Sequence, residues 1–140
     1  MGKERMSGPA IVLDTNVFVA AAFRPGSASR RLVEAVRRGE LRLVWDDATR
    51  RETETVLGRI PVISADDMVE LFREEHRFRG ATDSAAFAAV PDPEDRKFAA
   101  LAAAADATLV SMDRALLGAA GAAGFTALPP GAFLARITGG

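Results

Sequence analysis

Apolar residues come along this chain in short continuous bursts separated by longer, helix-like stretches. The first burst, residues 10–13, is four apolar positions in a row, the composition a strand buried on both faces requires. It stops at Asp14. Residues 16–23 then follow a helical pattern that Arg24, Pro25 and Gly26 interrupt, and Ser27 is placed to cap a second helix with Leu32, Val33 and Val36 on one side and Gly39 at its end. Residues 41–45 predict a second strand, and Asp46 a cap for a helix running through Leu57, closed by Gly58 and Pro61. A further helix opens at Ser64 with acids in its first turn and takes Met68, Leu71, Phe72 and Phe78 as its apolar side.

Residues 81–90 carry no clear period, and the pattern resumes at Asp92, which caps a helix with Pro93 at its first position and an alanine-rich body through Ala105. A strand over 108–111, a short helix from Ala115, an edge strand over 125–128 and a last helix over 130–137 complete the reading. Strands alternating with helices predict an α/β fold with a parallel sheet, in which ligands lie in the crevice beyond the strands' carboxyl ends. The expected organisation is a polar lead-in at 1–9 and one domain over 10–137.

Composition narrows the chemistry. The chain has 140 residues, enough for one domain with a hydrophobic core, and 28 are alanine, which favours helices packed closely against another layer. With no cysteine there are no disulfides, thiolate metal sites or thiol nucleophiles, and any metal would be held by oxygen. The single histidine, His76, lies in a charged stretch, so imidazole base chemistry is not expected. A charged start and the absence of a long apolar run predict neither signal peptide nor membrane span, with a cytoplasmic location as the default.

Four acids stand at element ends: Asp14 after the first strand, Glu52 in the third helix, Asp95 one turn into the helix that Asp92 opens, and Asp113 after the 108–111 strand. Each has an ordinary explanation. Asp14 and Asp113 could be helix caps, Asp95 an acid at a helix dipole, and Glu52 a solvated helix face beside Arg50 and Arg51. Together they would surround one crevice, where carboxylates about 4 Å apart repel by roughly 4 kcal/mol per pair at an effective dielectric near 20. A divalent Mg²⁺ or Mn²⁺ ion removes that repulsion and suits phosphodiester cleavage. With these four set aside, 15 acids face 18 bases, and the pairs Arg30–Arg31, Arg37–Arg38 and Arg50–Arg51, with Arg73, Arg77 and Arg79, are candidates to track a phosphate backbone.

The stretches Ile11-Val-Leu-Asp-Thr-Asn-Val-Phe-Val, Glu52-Thr-Glu-Thr-Val-Leu, Asp92-Pro-Glu-Asp-Arg-Lys-Phe and Val110-Ser-Met-Asp-Arg-Ala-Leu-Leu, in that order, resemble the PIN domain family, specifically toxin components similar to VapC-type ribonucleases. The resemblance implies a mostly parallel five-stranded sheet between helices and a Mg²⁺- or Mn²⁺-dependent endoribonuclease acting on single-stranded RNA. Its implied partner is the cognate antitoxin of a type II pair, with a homodimer as a further option and no membrane. It also implies Asp14, Glu52, Asp95 and Asp113 as metal-binding and catalytic acids, with Asn16 and Ser111 in support. Met112 stands where glycine is usual and Ala115 where a second Asp is frequent. Those departures motivate the alternative of an RNA- or partner-binding module with a degenerate site. A haloacid-dehalogenase-like phosphatase is disfavoured, because Asn16 replaces the second Asp of that loop.

Overall fold

The computed structural model describes residues 8–60 and 69–139. Its framework is a four-stranded parallel sheet in the order β2-β1-β3-β4, built from β1 (Ala10–Leu13), β2 (Arg42–Leu43), β3 (Thr108–Val110) and β4 (Thr126–Leu128). Six helices lie fully within the described residues: α1 (Thr15–Phe23), α2 (Ala28–Arg37), α3 (Asp47–Leu57), α4 (Arg96–Ala105), α5 (Arg114–Ala123) and α6 (Pro130–Ile137).

The period-2 geometry of β1 sorts its side chains between two core layers. Ile11 and Leu13 join Val17, Phe18, Leu32, Val36, Leu57 and Phe133 from α1, α2, α3 and α6, whereas Val12 joins Phe98, Leu101, Leu116 and Ala120 from α4 and α5. The second layer is the alanine-rich one: Ala99 and Ala102 are buried beside Phe98, and small side chains let α4 lie close on the sheet. Phe98 is 1% exposed, so truncation to alanine is expected to cost about 3–5 kcal/mol.

Local signals act where the chain turns. Ser27 Oγ accepts from the Arg30 amide at 3.1 Å. Asp46 and Thr49 form a reciprocal capping box at α3. Gly124 ends α5 in the left-handed region at φ +85°, open to glycine without strain.

Three expectations are corrected. The sheet has four strands among the described residues rather than five, because 81–90 lacks the bulky β-branched side chains a strand packs with and forms a 3₁₀ turn at Ser84–Phe87. The second strand is cut to Arg42–Leu43; beyond it Trp45 forms an isolated parallel bridge with Arg77. Helical backbone is present at 69–71 and Leu71 and Phe72 are buried, but the chain then passes into a 3₁₀ turn at Glu74–His76, so Phe78 is not on that helix. Pro61, Ser64 and Met68 lie outside the described residues.

Candidate metal and active site

The parallel register delivers the polar residues to one edge. Asp14 follows β1 and its amide donates to Val110 O at 3.1 Å, while Ser111 follows β3 and its amide donates to Leu128 O at 3.1 Å. Asp14 and Ser111 therefore emerge side by side from adjacent strands. Ser111 Oγ donates to Asp14 Oδ2 at 2.8 Å and accepts from the Asp113 amide at 3.0 Å, tying the first acid to the last.

Asp14 occupies the cap position of α1, yet its carboxylate makes no capping bond there. It is 4% exposed. Burial drives its pKa above the ordinary value; Ser111 and the nearby Asn16 amide pull it down, and the charges of Asp113 and Glu52 push it up, leaving it raised. Asp95 also sits at a helix start, that of α4, without a side-chain capping bond. Its pKa rises from 3.8 to about 6, first through desolvation and then through Asp14, Asp92, Asp113 and Glu52. Thus all four predicted acids meet electrostatically at Asp95.

The other acids have structural duties as well. Asp92 caps the 3₁₀ turn Pro93–Asp95 through the Glu94 amide at 2.9 Å. Asp113 caps α5, its Oδ1 accepting from the Ala115 and Leu116 amides at 2.9 and 3.2 Å. Glu52 is half-buried and touches Thr15 Oγ1 at 3.5 Å; Thr15 in turn bonds Thr53 Oγ1 at 3.1 Å. Its Oε1 accepts from Lys97 Nζ, which also donates to Glu94 Oε1 and to Glu94 O, both at 3.1 Å. Burial lowers the Lys97 pKa, but the bonds to Glu52 and Glu94 outweigh it and the ammonium ends up stabilised. Asn16 is exposed, with no side-chain hydrogen bond among the described residues.

Residues 10–115 match a family model described as PIN domain. The chain belongs to the PIN domain family. None of the curated proteins matches it. PIN domains are generally nucleases and typically use divalent metal ions, so the donor set has to be tested against such an ion. Its chemistry fits: oxygen donors only, with the charged forms of Asp14 and Asp95 both disfavoured first by burial and then by neighbouring carboxylates. Among the described residues, however, no three acids already stand as a closed ligand group.

Thr15, Thr53, Glu94 and the Lys97–Glu52 pair were not singled out as site residues from the sequence. Lys97 had one available signal, being one of two lysines in the chain and two residues past Asp95. The arginines proposed to follow a phosphate backbone are largely paired within the PIN domain itself. Arg30 and Arg37 hold Glu34, Arg38 holds Glu40, Arg50 holds Glu54, and Arg77 and Arg79 share Glu74. Arg31 and Arg51 are exposed with no partner among the described residues. A wide groove of about 1300 Å³ lies at the opposite end of the sheet, beside Pro9, Leu41 and Thr108. It gathers none of the four acids. No helix among the described residues is long and apolar enough to cross a membrane.

Proposed function

We propose that this PIN domain is a metal-dependent endoribonuclease that cleaves single-stranded RNA, with Mg²⁺ or Mn²⁺ held by Asp14, Glu52, Asp95 and Asp113. The observation that carries this reading is the electrostatic state of Asp95, whose pKa is raised to about 6 by burial and four neighbouring carboxylates. Perturbed titration of this kind is one mark by which functional sites are found. A bound divalent ion would neutralise the phosphodiester charge and lower the pKa of an attacking water.

The protein's own residues prepare that site. Ser111 fixes Asp14 and, through the Asp113 amide, sets the spacing of the two strand-end acids. Thr15 and Lys97 hold Glu52 from two sides. Arg51, exposed one residue before Glu52 on α3, is the residue we assign to the RNA backbone.

The physiological role we infer is that of a toxin in a type II toxin–antitoxin pair, supported by the order of the sequence motifs. Growth arrest on expression, relieved by the protein of an adjacent small reading frame, tests it. Cleavage itself is tested by incubating the purified protein with single-stranded RNA and Mn²⁺. Cleavage that chelator stops and Asp14→Asn abolishes is expected; equal cleavage by wild type and variant would sink the assignment. A second reading, an RNA- or partner-binding module without catalysis, is favoured by the absence of a closed three-acid group among the described residues. It predicts RNA binding indifferent to Mn²⁺ and no cleavage.

A further inference from the structure

Among the described residues, Asp14, Asp95 and Asp113 have no cationic partner; the one ammonium in the cluster is Lys97, and it is spent on Glu52. Lys97 and Glu52 are similarly enclosed, their side chains 24% and 25% exposed, whereas Glu94 on the other flank of the ammonium is 77% exposed. The lysine thus bridges an inner and an outer carboxylate. Its Nζ also bonds the Glu94 carbonyl at 3.1 Å, so it has two acceptors on the outer side that do not involve Glu52.

We propose that Lys97 is a resident counter-cation that holds Glu52 in the metal-free protein and yields it to the incoming divalent ion by withdrawing to Glu94. The inference rests on the metal-dependent reading above and adds a device to it. A carboxylate shared by an ammonium and a divalent cation brings two positive centres close together, a repulsion that withdrawal of the ammonium relieves. Lysine suits the role because its charge is compact and its four-carbon stem is flexible, and because the outer acceptors are already engaged. No bond forms or breaks covalently; one ion pair is exchanged for another. Lys97 is accordingly a positioning residue whose removal should strengthen metal binding while weakening the metal-free fold.

Calorimetric titration of MnCl₂ into the full-length, metal-free protein at one fixed pH reads this directly. Lys97→Gln removes the competitor and is expected to tighten Mn²⁺ binding roughly fivefold, the effect of an ion pair of moderate strength. Lys97→Arg keeps the charge but can grip a carboxylate with two parallel bonds, so it should weaken Mn²⁺ binding by a similar factor. This charge-preserving variant separates exchange from a simple field effect and carries the test if Lys97→Gln does not fold. Weaker binding in Lys97→Gln, or unchanged binding in Lys97→Arg, overturns the exchange while leaving the metal site intact. No Mn²⁺ heat in wild type or either variant overturns both the exchange and the metal-dependent reading.

Discussion

Two acids at opposite ends of the same sheet are treated in opposite ways. Glu34, on α2 beside the amino edge, accepts from Arg30 at 3.1 Å and Arg37 at 2.9 Å, and the hydrogen bond from Arg30 leads in holding its carboxyl below the usual range. Asp95, at the carboxyl edge, has no cation among the described residues; burial first, and then four further carboxylates, push its carboxyl up to about 6. Arg38 and Glu40 repeat the first pattern nearby; Asp14, buried and raised, repeats the second. Where only folding is served, opposite charges pair off along the surface. At the carboxyl edge like charges are gathered instead, and Lys97 relieves only Glu52 among the four. That concentration costs stability in the metal-free protein and is understandable as readiness for a divalent ion.

The sharpest way to break this contrast is Asp14→Asn. The amide keeps an acceptor for Ser111 but removes the buried charge, so RNA cleavage should fall by more than about 100-fold, beyond the loss usual for residues that merely orient a metal ligand. Metal-free melting should not fall. A large drop in melting temperature would make Asp14 a structural acid like Glu34.

Next comes pH. The folded pKa of Asp95 lies above its unfolded value of 3.8, so the folded protein binds the extra proton between the two. The stability this provides is complete below about pH 4 and is lost as pH rises through about 6; Asp14 acts in the same direction. Denaturant melts of metal-free protein from pH 4 to 7 should show that decline, flattened in Asp95→Asn. Mn²⁺ affinity should run the other way, weakening as pH falls through 6. A flat profile in wild type would mean the acids are not gathered as described.

Ser111→Ala should have a smaller effect, destabilising by about 1–3 kcal/mol through the loss of the hydroxyl that serves a buried carboxylate. Measured in the Asp14→Asn background, the loss should shrink, because the hydroxyl then serves a neutral amide oxygen rather than a charged carboxylate. Smallest of all, Arg38→Ala at the amino edge should change stability by no more than about 0.5 kcal/mol and leave cleavage unaltered, since the Arg38–Glu40 pair is well exposed.

How much of this was visible in the sequence follows from the range of the forces involved. Local signals read true where the apolar run 10–13 is β1 and where Ser27 and Asp46 cap the helices they were expected to open; Asp92 instead caps a 3₁₀ turn, Pro93–Asp95, and Asp95, expected one turn inside the helix, takes the cap position of α4. Asp113 caps α5 as well as standing in the cluster, so the two explanations offered for it are compatible. Asp14 is different: it holds a cap position without capping, a distinction that depends on Ser111, 97 residues away. The Lys97–Glu52 pair joins residues 45 apart and leaves no trace in either local pattern. The resemblance implied a fifth strand, but the alanine-rich 81–90 stretch, which carries no clear period, forms a 3₁₀ turn.

The most direct test of the central claim is the shift in melting temperature on adding Mn²⁺ to wild type, Asp14→Asn and Asp95→Asn. An ion that binds only the folded state at about 100 times its Kd stabilises by about 2.7 kcal/mol, on the order of 5–10 °C for a domain of this size. That rise is expected in wild type, with little or none in either variant. Equal shifts in all three, or no shift in wild type, would contradict it.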